Sequence, residues 1–167
     1  KAIKVIDDLI KKYPIDADLY VIRGDIKREI KNNDEALEDY NKALELDPGC
    51  AGAQMSLCSY YSDVYNLDQM EHYALMILAN ESVSFQEKTR FIDFALKLYQ
   101  NRPDYIEKID QIFDTVIKAN PESTEALLMY ANILNELNNT EKMLEVLYSA
   151  VLLDEKCLTC HQQLIAT

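Results

Sequence analysis

The densest group of chemistry-bearing residues in this sequence is Cys157-Leu158-Thr159-Cys160-His161. Two thiols separated by two residues and followed by an imidazole have the C-x-x-C-H spacing of covalent haem attachment, with sulfur for the vinyl groups and histidine for iron. The same cysteines could instead work as a redox pair or as half of a zinc site. Thioredoxin-like chemistry expects a βαβ setting that this sequence lacks, and zinc needs two further ligands. The plainer reading makes Cys50, Cys58 and Cys160 small packing or loop residues. Neither a haem nor a metal is expected, and no cofactor is assigned.

Other chemistry finds few residues to carry it. The 2 histidines, His72 and His161, lie near no nucleophile motif, and the 3 glycines form no phosphate-binding loop. Acidic runs such as Glu35, Glu38 and Asp39 read as a solvated helix face. The 11 tyrosines could stack nucleobases, but without a basic groove nothing would hold the phosphates, so most are expected in the core. No catalytic residue is assigned.

The elements that position these residues are helices. Leu, Ala, Glu and Lys dominate, only 3 Gly and 4 Pro interrupt, and 49% of the chain is hydrophobic, enough for a continuous core. A formal net charge of -12 repels nucleic acid. The longest apolar runs, such as Ala74 to Ala79, fall far short of the ~20 residues that span a bilayer. Lys1 already lies inside a helical pattern, so the segment reads as part of a longer chain. The compartment stays open on that ground, with the cytoplasm slightly favoured and export not excluded.

The stretch from Ala17 to Cys50 contains two amphipathic segments, split by Asn32-Asn33-Asp34 and closed by Asp47-Pro48-Gly49. Tyr20 and Gly24 stand in the first segment, then Ala36, Tyr40, Ala43 and Pro48 in and after the second. Gly24, Ala36 and Ala43 let helices approach closely, and Pro48 stops the second helix. This pattern closely resembles the tetratricopeptide repeat, a helical hairpin with a period of about 34 residues. Thr124 to Cys157 repeats the plan, with Ala131 in place of Gly24, then Met143, Leu147 and Ala150.

The resemblance implies an all-α chain, a right-handed α-solenoid of antiparallel helix hairpins forming a single domain over 1–167. Its units are a partial repeat at 1–16, in which Ala2, Ile6 and Leu9 match Ala36, Tyr40 and Ala43, then repeats at 17–50, 51–84, 85–123 and 124–157, and a partial repeat at 158–167. The 51–84 unit turns Leu57, Cys58 and Tyr61 inward against Met70, Ala74 and Ile77. The 85–123 unit is five residues longer, an excess expected around Gln100-Asn101-Arg102-Pro103. Ser84 with Glu87, and Asp68 with Glu71, have capping-box spacing. Cys50 and Cys157 share one repeat position about three repeats apart, which argues against a shared metal.

In the family this sequence resembles, the first helix of each hairpin lines a concave, polypeptide-binding face. That places Asp18, Val21, Ile22, Asp25, Arg28 and Glu29 on it, beside Met55, Ser56, Ser59 and Asp63, with Leu128, Met129, Asn132 and Glu136 beyond. Some members grip a chaperone's terminal carboxylate with cations and amides. Here Val21, Asp25, Ser56 and Leu128 stand instead, so an acidic tail is not the expected ligand. The expected function is a protein-interaction scaffold or adaptor for a protein or peptide partner. The alternatives are a redox protein that uses the C-x-x-C-H motif to carry a cofactor, and a regulatory repeat module of a larger enzyme or DNA-binding protein.

Overall fold

A computed structural model describes residues 2–166, and all regular structure among them is helical. The helices are α1 (Ala2–Lys12), α2 (Ala17–Glu29), α3 (Asn33–Leu46), α4 (Ala51–Asp63), α5 (Leu67–Ala79), α6 (Phe85–Tyr99), α7 (Tyr105–Ala119), α8 (Thr124–Glu136), α9 (Thr140–Leu153) and α10 (Leu158–Ala166). They form two compact units that divide between Val83 and Ser84. In the first unit α2 pairs with α3 and α4 with α5, while α1 packs on α2 and α4 also touches both α2 and α3. In the second, α8 pairs with α9, α7 touches α6 and α8, and α10 lies on α9. Short connections between paired helices make each pair an antiparallel hairpin, so the fold class is all-α, built from the hairpins that make α-solenoids.

Three hairpins turn by the same device. Lys31, Tyr65 and Asn138 adopt φ of 65°, 56° and 57°, the left-handed conformation that closes a helix. After each, the next backbone amide reaches back across the last turn: Asn32 to the Lys27 carbonyl, Asn66 to Tyr61 and Asn139 to Leu134, each at 2.9 Å. The following asparagine then starts the second helix, and the Asn66 and Asn139 side chains accept from the amides of Gln69 and Lys142. A side chain at such a φ is strained, and Tyr65 is 88% exposed with little packing to lose. Tyr65→Gly is therefore expected to raise stability by about 0.5–1 kcal/mol, read as a higher urea midpoint.

Ser84 and Glu87 form the expected capping box. The other expected pair is corrected: Asn66 caps α5, and Asp68 lies inside its first turn. The longer 85–123 stretch also differs from expectation. Compared with 17–50, its extra residues are shared among α6, the connection and α7, so the excess is not confined to the connection. That connection carries no left-handed residue.

Inside each hairpin, residues at matched places fill one gap. Gly24 faces Tyr40, Cys58 corresponds with Ala74, and Ala131 with Leu147, and all the side chains named are at most 4% exposed. In the first and last of these pairs a small residue on one helix matches a larger one on its partner, as close packing requires, whereas Cys58 and Ala74 are both small. Tyr20, Tyr40, Tyr73, Tyr99 and Tyr130 are buried, but Tyr13, Tyr65 and Tyr148 are exposed. The tyrosines are thus less uniformly internal than their spacing suggested. The reading of Asp39 as solvated is overturned outright, since it is 3% exposed.

Candidate functional site

In the first unit, α2 and α4 are joined by side chains from their neighbouring faces. The Arg28 guanidinium donates to the Ser56 carbonyl at 3.4 Å, to Ser59 Oγ at 3.1 Å and to the Asp63 carboxylate at 2.5 Å. Asp25 Oδ1 accepts from the Tyr40 hydroxyl at 2.7 Å and from Ser56 Oγ at 3.0 Å. Five of the residues assigned to the interaction face therefore form one network. Ile22 beside it is 43% exposed, Asp18 and Glu29 are exposed, and Met55 is half-buried. Val21 is placed differently: it is 8% exposed, packed with Ile10, Tyr20, Ala43, Cys50 and Ala53. Its side chain belongs to the core because it fills the space over Gly52.

In the second unit Leu128 and Met129 are half-buried, and Asn132 and Glu136 are exposed. Asn132 Oδ1 accepts from Gln163 Nε2 on α10 at 2.9 Å. Asn132 and Gln163 hold the places in their repeats that Asp25 and Ser56 hold in the first unit. The fold thus reuses one polar link between successive first helices. Sequence reasoning missed this link, although the repeat register brings both pairs to the same positions.

Beneath the α2 surface lies a charged cluster that the sequence also concealed. Arg23 binds the Asp39 carboxylate through two nitrogens, at 2.9 and 2.6 Å, and Asp7 at 2.8 Å. Lys27 reaches Asp39 at 2.8 Å and Glu35 at 3.2 Å. Hydrogen bonding to Asp39 leads in holding the Arg23 guanidinium above its ordinary value, against the opposing effect of burial. The cluster ties α1, α2 and α3 together.

Burial, the leading cause in each case, also raises the hydroxyls of Tyr40, Tyr73 and Tyr130, with Tyr130 pushed up to about 12. Tyr130 stacks on Phe113 at 4.6 Å and donates to Asp110. The folded chain holds these phenols protonated above their ordinary value of about 10. Their contribution to stability is complete below pH ~10 and is lost as pH rises through the folded values. Unfolding free energy is expected to fall from pH ~10 to ~12, and tyrosinate absorbance should show a late-ionising class that joins the others on adding denaturant.

Cys157 and Cys160 are joined by a disulfide. While it is closed, neither sulfur can take a haem vinyl group or a metal, and the reading of Cys160 as a packing residue alone is corrected. Its thiol is bonded as well as buried. Cys50 and Cys58 are buried thiols.

Stacked helix pairs with small residues at their closest approach, linked through successive first helices, define a helical-repeat protein. Models of the tetratricopeptide repeat match residues 17–50 and 124–157. The chain carries tetratricopeptide repeats. It is similar to a solved structure described as YrrB, a TPR protein with an unusual peptide-binding site, at 17% identity over 95% of this chain and 96% of that one, with a TM-score of 0.40. No curated protein sequence matches the chain significantly.

Proposed function

We propose that this chain is a protein-interaction scaffold that holds a polypeptide segment on its first-helix face, the concave face of the repeat family. The observation that carries this reading is the α2–α4 network, where Asp63 offsets the charge of Arg28 and both Asp18 and Glu29 stay exposed around Ile22. A surface of apolar contact bordered by carboxylates suits a segment that is apolar with basic residues, and disfavours acidic tails and nucleic acid. Met55 and, in the second unit, Met129 offer adaptable contact. These residues are the proposed contacts, together with Ser59, Leu128, Asn132 and Glu136.

Peptide-array binding tests the proposal. Basic–apolar peptides should be captured over acidic ones, and higher salt should slow association. Charge reversal belongs at Asp18 and Glu29, because Asp25 also holds Tyr40. Asp18→Lys with Glu29→Lys should weaken capture, and Met55→Ala with Met129→Ala should speed dissociation. Preferential capture of acidic peptides, or affinity indifferent to the charge reversals, would place the working surface elsewhere.

A further inference from the structure

We infer that Cys157 and Cys160 form a thiol–disulfide exchange site whose co-reactant is a dithiol. The residues that precede the first helices are Asp16, Cys50, Ser84, Ser123 and Cys157. Ser84 Oγ and Ser123 Oγ accept from the amides of Glu87 and Ala126, at 3.3 and 3.2 Å. Cys157 Sγ accepts from the Cys160 amide at 3.2 Å in the same manner. The repeat thus puts this sulfur where it caps α10 and where negative charge is favoured, which suits a thiolate once the bond is opened.

Cys160 takes the third position of its helix, where Ala53 and Ala126 stand in other repeats, and all three are fully buried. Alanine fills that buried position in two repeats, so burial there gives no reason for sulfur. The bond between the two cysteines, at a sequence separation of 3, joins α10 only to the residue leading into it. Such a small loop takes little entropy from the unfolded chain, so holding the fold together does not explain the bond. Cys50 provides the contrast. It occupies the place of Cys157 in another repeat, but it faces Ala53 and is 4% exposed, and burial raises its thiol.

Exposure sets the direction of attack, because Cys157 is partly exposed and Cys160 is not. A thiolate of the dithiol attacks Cys157 Sγ, the bond to Cys160 breaks, and Cys160 leaves as a thiolate and takes up a proton. The second thiol of the co-reactant then loses its proton and attacks the co-reactant sulfur bonded to Cys157, so that the co-reactant's own disulfide closes while Cys157 leaves as a thiolate and takes up a proton. The protein pair gains two electrons and two protons, and the dithiol loses the same.

Dithiothreitol is the probe, applied to the folded chain, with thiols counted by alkylation and mass. The pair should open with the helical circular dichroism unchanged, and close again on adding oxidised dithiothreitol. In reduced Cys160→Ala, which borrows the alanine of two other repeats, Cys157 should form a mixed disulfide with oxidised glutathione at least about tenfold faster than Cys50 or Cys58. A pair that resists dithiothreitol until the helices melt would overturn the proposal. So would a Cys157 in the variant that reacts no faster than Cys50. The first measurement uses no variant, so it stands even if Cys160→Ala fails to fold.

Discussion

Asp39→Ala is expected to lower unfolding free energy by about 3–5 kcal/mol, the usual cost of removing one partner from a buried ion cluster. The carboxylate is 3% exposed and meets Arg23 and Lys27 at 2.6 to 2.9 Å. Without it two cations stay largely buried, and their remaining carboxylate partners are the more exposed Asp7 and Glu35. Those partners hold the expected value towards the lower end. Replacing Arg23, Lys27 and Asp39 together by Met, Met and Leu should cost less than the single change, because no buried charge is then left uncompensated. Urea unfolding of both variants checks the ordering. A loss below about 1 kcal/mol for Asp39→Ala would make the cluster equivalent to a surface ion pair.

Gly24→Leu should destabilise the first hairpin by at least about 1–3 kcal/mol, the range for overpacking a filled core. Even a Cβ at Gly24 would lie 2.6 Å from Tyr40 Cε1 and 3.2 Å from the Ala36 carbonyl oxygen. The Tyr40 ring cannot easily retreat, since it is fully buried and its hydroxyl is held by Asp25. The matched pair Ala131 and Leu147 shows how another repeat admits a Cβ, with a smaller residue opposite. Gly24→Ala combined with Tyr40→Leu should therefore cost less than the sum of the single changes. Thermal melts of the three variants decide this, and strict additivity would mean that the two residues do not share a contact.

Hairpins and their register were legible because each signal is local. Gly24, Ala36, Tyr40, Ala43 and Pro48 fall within one repeat, and Ser84 with Glu87 within one turn. Asp39 was not legible, because beside Glu35 and Glu38 it looks like part of a solvated face. Its partner Arg23 lies 16 residues away, and only the packing of α2 on α3 brings the two together. For Val21, family register gave the helix but could not tell an exposed face from one covered by Gly52 and Ala53. The Asp25–Ser56 and Asn132–Gln163 links needed two repeats to be superposed before either pair stood out. Repeat position explained the burial of Cys160, but its bond to Cys157 depended on where the preceding connection delivers the first sulfur.

Amide chemical shifts of the chain, recorded while a basic–apolar peptide from the array is added, test the scaffold reading most directly. Saturable shifts are expected on the first-helix residues Ile22, Glu29, Met55 and Ser59, with the second helices α3 and α5 little changed. Saturable shifts confined to α3 and α5, with those four residues unmoved, would contradict it.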